Sequence, residues 1–165
     1  YFSELSDDAE KLLRKMIPKE PEWAGFMKAA PGMSELTAAF FLSRIDIEIA
    51  TTVSKVWRYL GLDPTEKYNP GKGKMRAPLY AALSISMIRQ NSAYRPYYDA
   101  LRARDISHGG AIRRLIKLWL SHLWETWRKF EGLPIRAPYA HKEDGEFKRA
   151  TEFGWPEPIV TSDPS

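Results

Sequence analysis

The chain has 165 residues, no cysteine and 13% aromatic residues. This composition suits one folded domain and excludes a disulfide framework, a thiolate metal site and a wholly disordered polymer. The charge is uneven, because residues 61–136 hold 14 Lys and Arg against 6 Asp and Glu, whereas both flanking segments are slightly acidic. A basic segment of this kind is typical of a polyanion partner.

Membrane and secretion signals are absent from the sequence. No uninterrupted apolar run approaches the roughly 18 residues that span a bilayer, and the N-terminal residues lack a basic-then-apolar signal pattern. We therefore expect a soluble, intracellular protein, in the cytoplasm or nucleoid, that contacts no membrane.

Two short helices are predicted in the first 30 residues. Ser6 is suited to cap a helix that carries two acidic residues in its first turn and ends at Pro18. Pro21 is well placed to start a second helix, which the apolar spacing continues to Ala30.

The next segment, "FMKAAPGMSELTAAFFL", predicts a turn between two helices. Pro31 and Gly32 break the chain, and Ser34 can cap a new helix. The order of residues matches a helix-hairpin-helix pattern within residues 23–45, formed by Met27, Ala30, Pro31, Gly32, Met33, Ser34 and Ala38. The alternative is an ordinary connection between two helices.

The central part of the chain alternates helical patterns with a basic loop. Residues 46–60 contain β-branched residues that could suit a strand, but their apolar spacing favours a helix that Gly61 ends. The Pro and Gly content of residues 67–76, "KYNPGKGKMR", predicts a loop. Helical patterns resume in residues 77–90 and 95–105.

Residues 109–131 give the strongest helical pattern. One continuous apolar stripe is formed by Ile112, Leu115, Ile116, Trp119, Leu120, Leu123, Trp124, Trp127 and Phe130, and off this stripe lie Arg113, Arg114, Lys117, Ser121 and Arg128. We expect an all-α fold with a helical domain over residues 1–136. Residues 137–165 are rich in Pro and predict an irregular tail, which Tyr139 and Trp155 could pin.

The hairpin supplies the main candidate binding site. Gly32 can adopt the positive φ of a tight turn, and the free N–H groups after Met33 and Ser34 lie at the positive end of a helix dipole. A phosphate group fits such a site. Because backbone N–H groups do not read base edges, the contact would hold DNA without selecting its sequence.

Two basic groups could add phosphate contacts. Lys72, Lys74 and Arg76 lie in the loop 67–76, and Arg113, Arg114 and Lys117 lie on one side of the long helix. The alternative in both cases is a solvated surface without a ligand.

The sequence offers no catalytic group that we can assign. The three histidines, His108, His122 and His141, share no metal-ligand spacing, and the pair formed by His122 and Glu125 is isolated. Asp46 and Glu48 would point to different faces of the predicted helix. We therefore expect no cofactor, no metal and no enzyme activity from this chain alone.

The order of these motifs resembles the C-terminal domain of the Piv-like transposases of the insertion-sequence one-ten type. The stretches are "APGMSELTAAFFLSRI", "KVWRYLGLDP", "GKGKMRAPLYAALSISMIRQNSAYRPYYDALRAR" and a basic helix beginning near "HGGAIRRL", all within residues 23–130. The resemblance implies an α-helical DNA-binding domain of a recombinase from a mobile element. It implies contacts to DNA by Gly32, Met33 and Ser34, with Lys72, Lys74 and Arg76 as additional contacts.

The sequence also departs from that family. The family's nucleophilic serine has no counterpart, because no Ser occurs between Gly61 and Leu83, and the family's N-terminal ribonuclease-H-like domain is missing. The first interpretation is a DNA-binding module, within a larger recombination complex or a homo-oligomer. The second is a structural or protein-interaction subunit without DNA binding, and the third a recombinase completed by another chain. Because the sequence starts with Tyr1, we expect further residues upstream.

Overall fold

A computed structural model describes residues 6–62, 81, 83, 84, 86–88, 93–135 and 149–159. Every regular element in these ranges is a helix, which confirms the predicted all-α fold. Six α-helices have both ends within these ranges: α1 (Asp7–Met16), α2 (Pro21–Gly25), α3 (Glu35–Arg44), α4 (Val53–Tyr59), α5 (Tyr94–Ala103) and α6 (His108–Phe130). Residues 81, 83, 84 and 86–88 are helical as well. Short 3-10 helices are formed by Ile17–Lys19, Met27–Ala29 and Ala150–Phe153.

The first helix begins where the sequence predicts. The Ser6 side chain accepts a hydrogen bond from the Ala9 N–H at 3.2 Å, which caps α1. The helix continues into the 3-10 turn that contains Pro18. It packs along α3, whereas its outer face stays in solvent and leaves Leu12 58% exposed.

The second predicted helix is interrupted by packing. The α-helical part ends at Gly25, and Phe26 leaves the helical region with φ −161° before the 3-10 helix that follows. This break buries both Phe26 and Met27. It also brings the Gly25 backbone against the Phe130 ring of α6, where an added Cβ would lie 2.3 Å from a ring carbon.

The prediction of a helix that starts at Asp46 is wrong. Residues 47–49 form a turn, and α4 begins only at Val53. The carbonyl of Ala50 accepts a hydrogen bond from the Trp124 indole at 2.6 Å, and that of Ile47 accepts one from the Arg128 guanidinium at 2.7 Å. Because side chains of α6 donate these hydrogen bonds, the buried carbonyl groups of this segment are paired even though the segment is not helical.

Helix α6 is the centre of the core. It packs against α2, α4, α5 and the 3-10 helix Ala150–Phe153, and Trp119 is fully buried. The burial extends beyond the apolar stripe, because Ser121 and Arg128, which the sequence places off it, are also buried. Burial lowers the pKa of Arg128, whose guanidinium donates to backbone carbonyls on both sides.

Part of the C-terminal segment is anchored to α6 by polar groups. Glu125, which is 2% exposed, accepts hydrogen bonds from the Arg149 side chain and the Ala150 N–H, both at 2.9 Å. The Tyr94 hydroxyl lies 2.6 Å from His122 Nδ1 and accepts a hydrogen bond from Trp155 Nε1 at 2.6 Å. Burial raises the pKa of Tyr94 well above its ordinary value, so this tyrosine stays neutral.

The close approach of α2 and α6 gives a test of this packing. We expect Gly25→Ala to lower the free energy of unfolding by about 1–3 kcal/mol, because the new methyl group must displace the buried Phe130 ring. Gly109→Ala is the matched control: its Cβ would meet no described atom within 4 Å, and it should stabilise α6 by up to about 1 kcal/mol. Denaturant unfolding of both variants measures the difference. Equal stability changes would contradict the packing.

Candidate nucleic-acid interface

The backbone of the Pro31-Gly32 turn has the features expected from the sequence. Gly32 has φ +72°, and the Ser34 side chain caps α3 by accepting a hydrogen bond from the Thr37 N–H at 3.2 Å. The element before the turn is the 3-10 helix Met27–Ala29 rather than an α-helix. The arrangement is therefore a tight turn with a capped helix after it.

One side of this turn is covered by protein. The Trp119 indole donates a hydrogen bond to the Pro31 carbonyl at 2.8 Å, and an added Cβ on Gly154 would lie 3.6 Å from the Pro31 ring. An added Cβ on Gly32 would lie 3.5 Å from the Ser86 Cβ. The turn is thus part of the core packing, and Met33 is half-buried beside it.

The start of α3 combines available donors with a competing negative charge. The N–H groups of Glu35 and Leu36 make no hydrogen bond with another residue that the structure describes. The Glu35 carboxylate occupies the same first turn and pairs with Arg14 at 3.5 Å. Because this carboxylate repels an incoming phosphate, the hairpin is a weaker anion site than its sequence suggests. Sequence reasoning did not identify Arg14 as a neighbour of the hairpin.

Two of the three predicted basic residues of the long helix, Arg113 and Lys117, contact α4 or the residues just after it. Arg113 donates to the Leu62 carbonyl at 3.3 Å. The Lys117 ammonium lies 4.5 Å from the centre of the Trp57 ring, and the Trp57 indole donates to the Lys117 carbonyl at 3.1 Å. Arg113 and Lys117 therefore help to hold α4 against α6.

The predicted site residues do not form one surface. With 3.6 residues per turn, Lys117 and Trp119 point roughly 160° apart around α6, and Trp119 is the residue that contacts the hairpin turn. Arg113 lies on the Lys117 side. Lys72, Lys74 and Arg76 lie outside the described residues.

A basic corner lies at the start of α6, and the sequence analysis identified only Arg113 and Arg114 of it. Residues 102–114 contain four Arg and one Asp, and these arginines flank the first turn of the helix. The Ser107 side chain caps this turn by accepting from the Gly110 N–H at 3.1 Å. Gly109 is exposed, and no described atom lies within 4 Å of where its Cβ would be. We call Arg102, Arg104, Gly109, Arg113 and Arg114 the α6 basic corner.

Short contacts join α5 to the start of α6 beside the α6 basic corner. Arg102 donates to the Ile106 carbonyl at 2.9 Å, across the connection between α5 and α6. His108 Nδ1 lies 2.6 Å from the Tyr98 hydroxyl of α5. The first turn of α6 contains no acidic residue. The sequence signal that could have found this corner is the run "LRARDISHGGAIRR", with basic pairs on both sides of a Ser cap and two glycines.

Neither a metal group nor a membrane helix is found in the described part of the chain. Its His, Asp and Glu residues include no group of three that could hold a metal ion. None of its helices combines the length and the apolar character that crossing a bilayer requires. Comparisons with protein-family models, curated proteins and solved structures found no match to this chain.

The positive φ of Gly32 gives a test of the turn. We expect Gly32→Val to lower the free energy of unfolding by about 1–3 kcal/mol, because a β-branched residue is strained at φ +72°. Gly32→Asn should cost less, since Asn tolerates this conformation better than other side chains. Denaturant unfolding distinguishes the two, and an Asn variant as unstable as the Val variant would show that space rather than φ limits this position.

Proposed function

We propose that this chain is a DNA-binding, transposase-like module that holds the DNA backbone without reading the base sequence. The observation that carries the proposal is the α6 basic corner, where an uncovered helix start is flanked by four arginines. It coincides with the stretch "HGGAIRRL" of the family resemblance. The hairpin at Gly32, Met33 and Ser34 would then be a secondary contact.

The physical support is electrostatic. Positive side chains near a helix N-terminus are unfavourable for the helix itself, because the helix dipole already places partial positive charge there. The first turn of α6 has no acidic residue to offset this charge. A phosphate group would offset it by accepting from guanidinium donors and from the His108 and Gly109 N–H groups, which make no hydrogen bond with a described residue.

Such a contact favours the DNA backbone over base edges. Gly109 offers no side chain that could reach into a groove, and the arginines lie at a helix end rather than along an exposed helix face. Backbone contacts position a protein on DNA and carry no sequence information. The role we propose is therefore to hold DNA within a larger recombination complex, with strand chemistry supplied by another chain.

The second candidate is a structural or protein-interaction subunit. It is favoured by the contacts of Arg113 and Lys117, which stabilise the packing of α4 on α6. If these contacts are the whole role of the basic residues, DNA affinity will not depend on the α6 basic corner.

A charge-matched pair of variants separates the two candidates. We expect the triple variant Arg102→Gln, Arg104→Gln and Arg114→Gln to bind DNA duplexes of unrelated sequence more weakly, and by a similar factor for each duplex. The slope of log affinity against log salt concentration should become less steep by up to about 2.7, which corresponds to the loss of three phosphate contacts. The control carries Lys11→Gln, Lys15→Gln and Lys19→Gln, which remove the same charge from exposed residues of α1 and the turn after it. Fluorescence anisotropy across a salt series measures both. If both triple variants lost the same amount of DNA affinity, the loss would come from net charge alone, and the α6 basic corner would not be a binding site.

The basic loop is tested in the same assay. Replacing Lys72, Lys74 and Arg76 by Ala should lower affinity for unrelated sequences to a similar degree, because phosphate contacts are indifferent to sequence. Loss of affinity for one sequence alone would make the loop a specificity element. Unchanged affinity and slope would leave DNA binding to the α6 basic corner and the hairpin.

A further inference from the structure

Helix α4 and the first four turns of α6 carry only basic charges. Neither α4 nor the part of α6 before Glu125 contains an acidic residue. In the described stretch from Ala111 to Trp124, the side chains that are not buried are all basic: Arg113, Arg114 and Lys117. The solvent side of this stretch is therefore cationic throughout.

Two contacts place α4 alongside these basic residues. The Lys117 ammonium lies 4.5 Å from the centre of the Trp57 ring, and Arg113 donates to the Leu62 carbonyl at 3.3 Å. Because Arg113 precedes Lys117 whereas Leu62 follows Trp57, the two segments run in opposite directions at this contact. A guanidinium has five N–H donors, so the bond to Leu62 leaves Arg113 with donors for a second acceptor.

The solvent side of α4 continues this positive charge. Its exposed residues are Ser54, Lys55, Arg58 and Tyr59. The Lys55 ammonium is positioned by the Thr51 hydroxyl oxygen, which accepts a hydrogen bond from it at 2.9 Å. The four cationic side chains and one aromatic side chain that face solvent here form what we call the α4–α6 surface: Lys55, Arg58, Tyr59, Arg113 and Lys117.

The aromatic member distinguishes this surface from a plain cationic one. Tyr59 is 39% exposed, and no other Phe, Trp or Tyr among the described residues reaches that exposure. Because successive residues of a helix are about 100° apart, Arg58 lies between Trp57 and Tyr59 around α4. An extended ligand that leaves Lys117 beside Trp57 would therefore cross Arg58 before it reaches the Tyr59 ring.

This combination of groups favours nucleic acid with unpaired bases. Cationic side chains attract the phosphates of any nucleic acid, and an exposed aromatic ring adds a face on which a base can stack. In a duplex, neighbouring bases already cover both faces of each base, so a ring on a protein surface reaches only unpaired or terminal bases. Stacking tolerates every base, which agrees with DNA binding that does not read the sequence.

We propose that the α4–α6 surface binds an unpaired stretch of DNA, in which phosphates contact its cationic side chains and one base stacks on Tyr59. The inference rests on the proposed DNA binding, because it names the form of DNA that continues from the α6 basic corner. The chain then holds DNA at the point where a duplex opens, with the duplex at the corner and a single strand across α4. Arg113 belongs to both surfaces and lies at the junction.

The stacking contact is tested with an abasic strand. A fluorescent single-stranded oligonucleotide and its abasic counterpart carry the same phosphates, so the difference between their affinities reports contacts to bases. We expect the unchanged protein to bind the strand with bases about fivefold to a hundredfold more tightly. Tyr59→Leu should remove this preference without weakening the binding of the abasic strand, whereas Tyr59→Phe should keep it. Fluorescence anisotropy measures these affinities.

The cationic part of the surface has a charge-matched control. We expect the double variant Lys55→Gln and Arg58→Gln to bind the single strand more weakly, and the slope of log affinity against log salt concentration to become less steep by up to about 1.4. The control, Lys11→Gln with Lys15→Gln, removes the same charge from exposed residues of α1. Equal losses of affinity in the two double variants would overturn the proposal. Thermal unfolding verifies that each variant is folded.

The outcomes distinguish this inference from the proposed function. If Tyr59→Leu kept the preference for the strand with bases while the triple variant of the α6 basic corner still weakened duplex binding, the inference would be overturned and the corner would stand. Equal weakening of duplex and single-strand binding by Tyr59→Leu would also overturn it. So would polyglutamate that displaces the labelled strand as readily as an unlabelled strand does, because the surface would then read charge alone. Binding of neither form of DNA would overturn both proposals.

Discussion

The fold depends on side-chain donors of α6 that satisfy carbonyl groups in the segments around it. Where a buried segment of backbone is not helical, its carbonyl groups lack the hydrogen-bond partners that a helix would supply. Leaving such carbonyl groups unpaired lowers the stability of the folded state. Three side chains of α6 supply donors to four such carbonyls: Trp119 to Pro31, Trp124 to Ala50, and Arg128 to Ile47 and Pro134. The aromatic bodies of the Trp residues fill the core at the same time. The same side chains thus provide apolar burial and fix the path of the surrounding chain.

This arrangement sets the position of the hairpin and of the C-terminal segment. The hairpin turn is held from α6 through Trp119, and the ring of Trp119 packs 5.3 Å from that of Trp155. Glu125 binds the start of the segment 149–159, and the Ile159 N–H reaches the Gly25 carbonyl at 3.2 Å. The core side of the turn is therefore covered by protein, and the α3 side is the one left for a ligand such as the proposed phosphate.

The two ends of α6 differ in charge. The first end carries the arginines of the α6 basic corner, and the last end borders a cleft with a net charge of −3, from the four acidic residues Glu22, Asp46, Glu48 and Glu131 and the one basic residue Arg44. Like charges gathered at one place destabilise a folded chain unless they are paired, screened or used by a ligand.

The sequence by itself determined the helical class, the caps at Ser6 and Ser34 and the positive φ at Gly32, because these follow from local chemistry within a few residues. It also identified the apolar stripe of α6, since a period of 3.6 is visible along the chain. Only the tertiary structure decided that residues 47–49 form a turn, because the donors that satisfy this turn come from Trp124 and Arg128, more than 70 residues away. The acidic cleft was equally hidden, since Glu22, Glu48 and Glu131 are brought together by packing. Contacts of this kind join residues that are far apart in the sequence, so the residues near each position do not predict them.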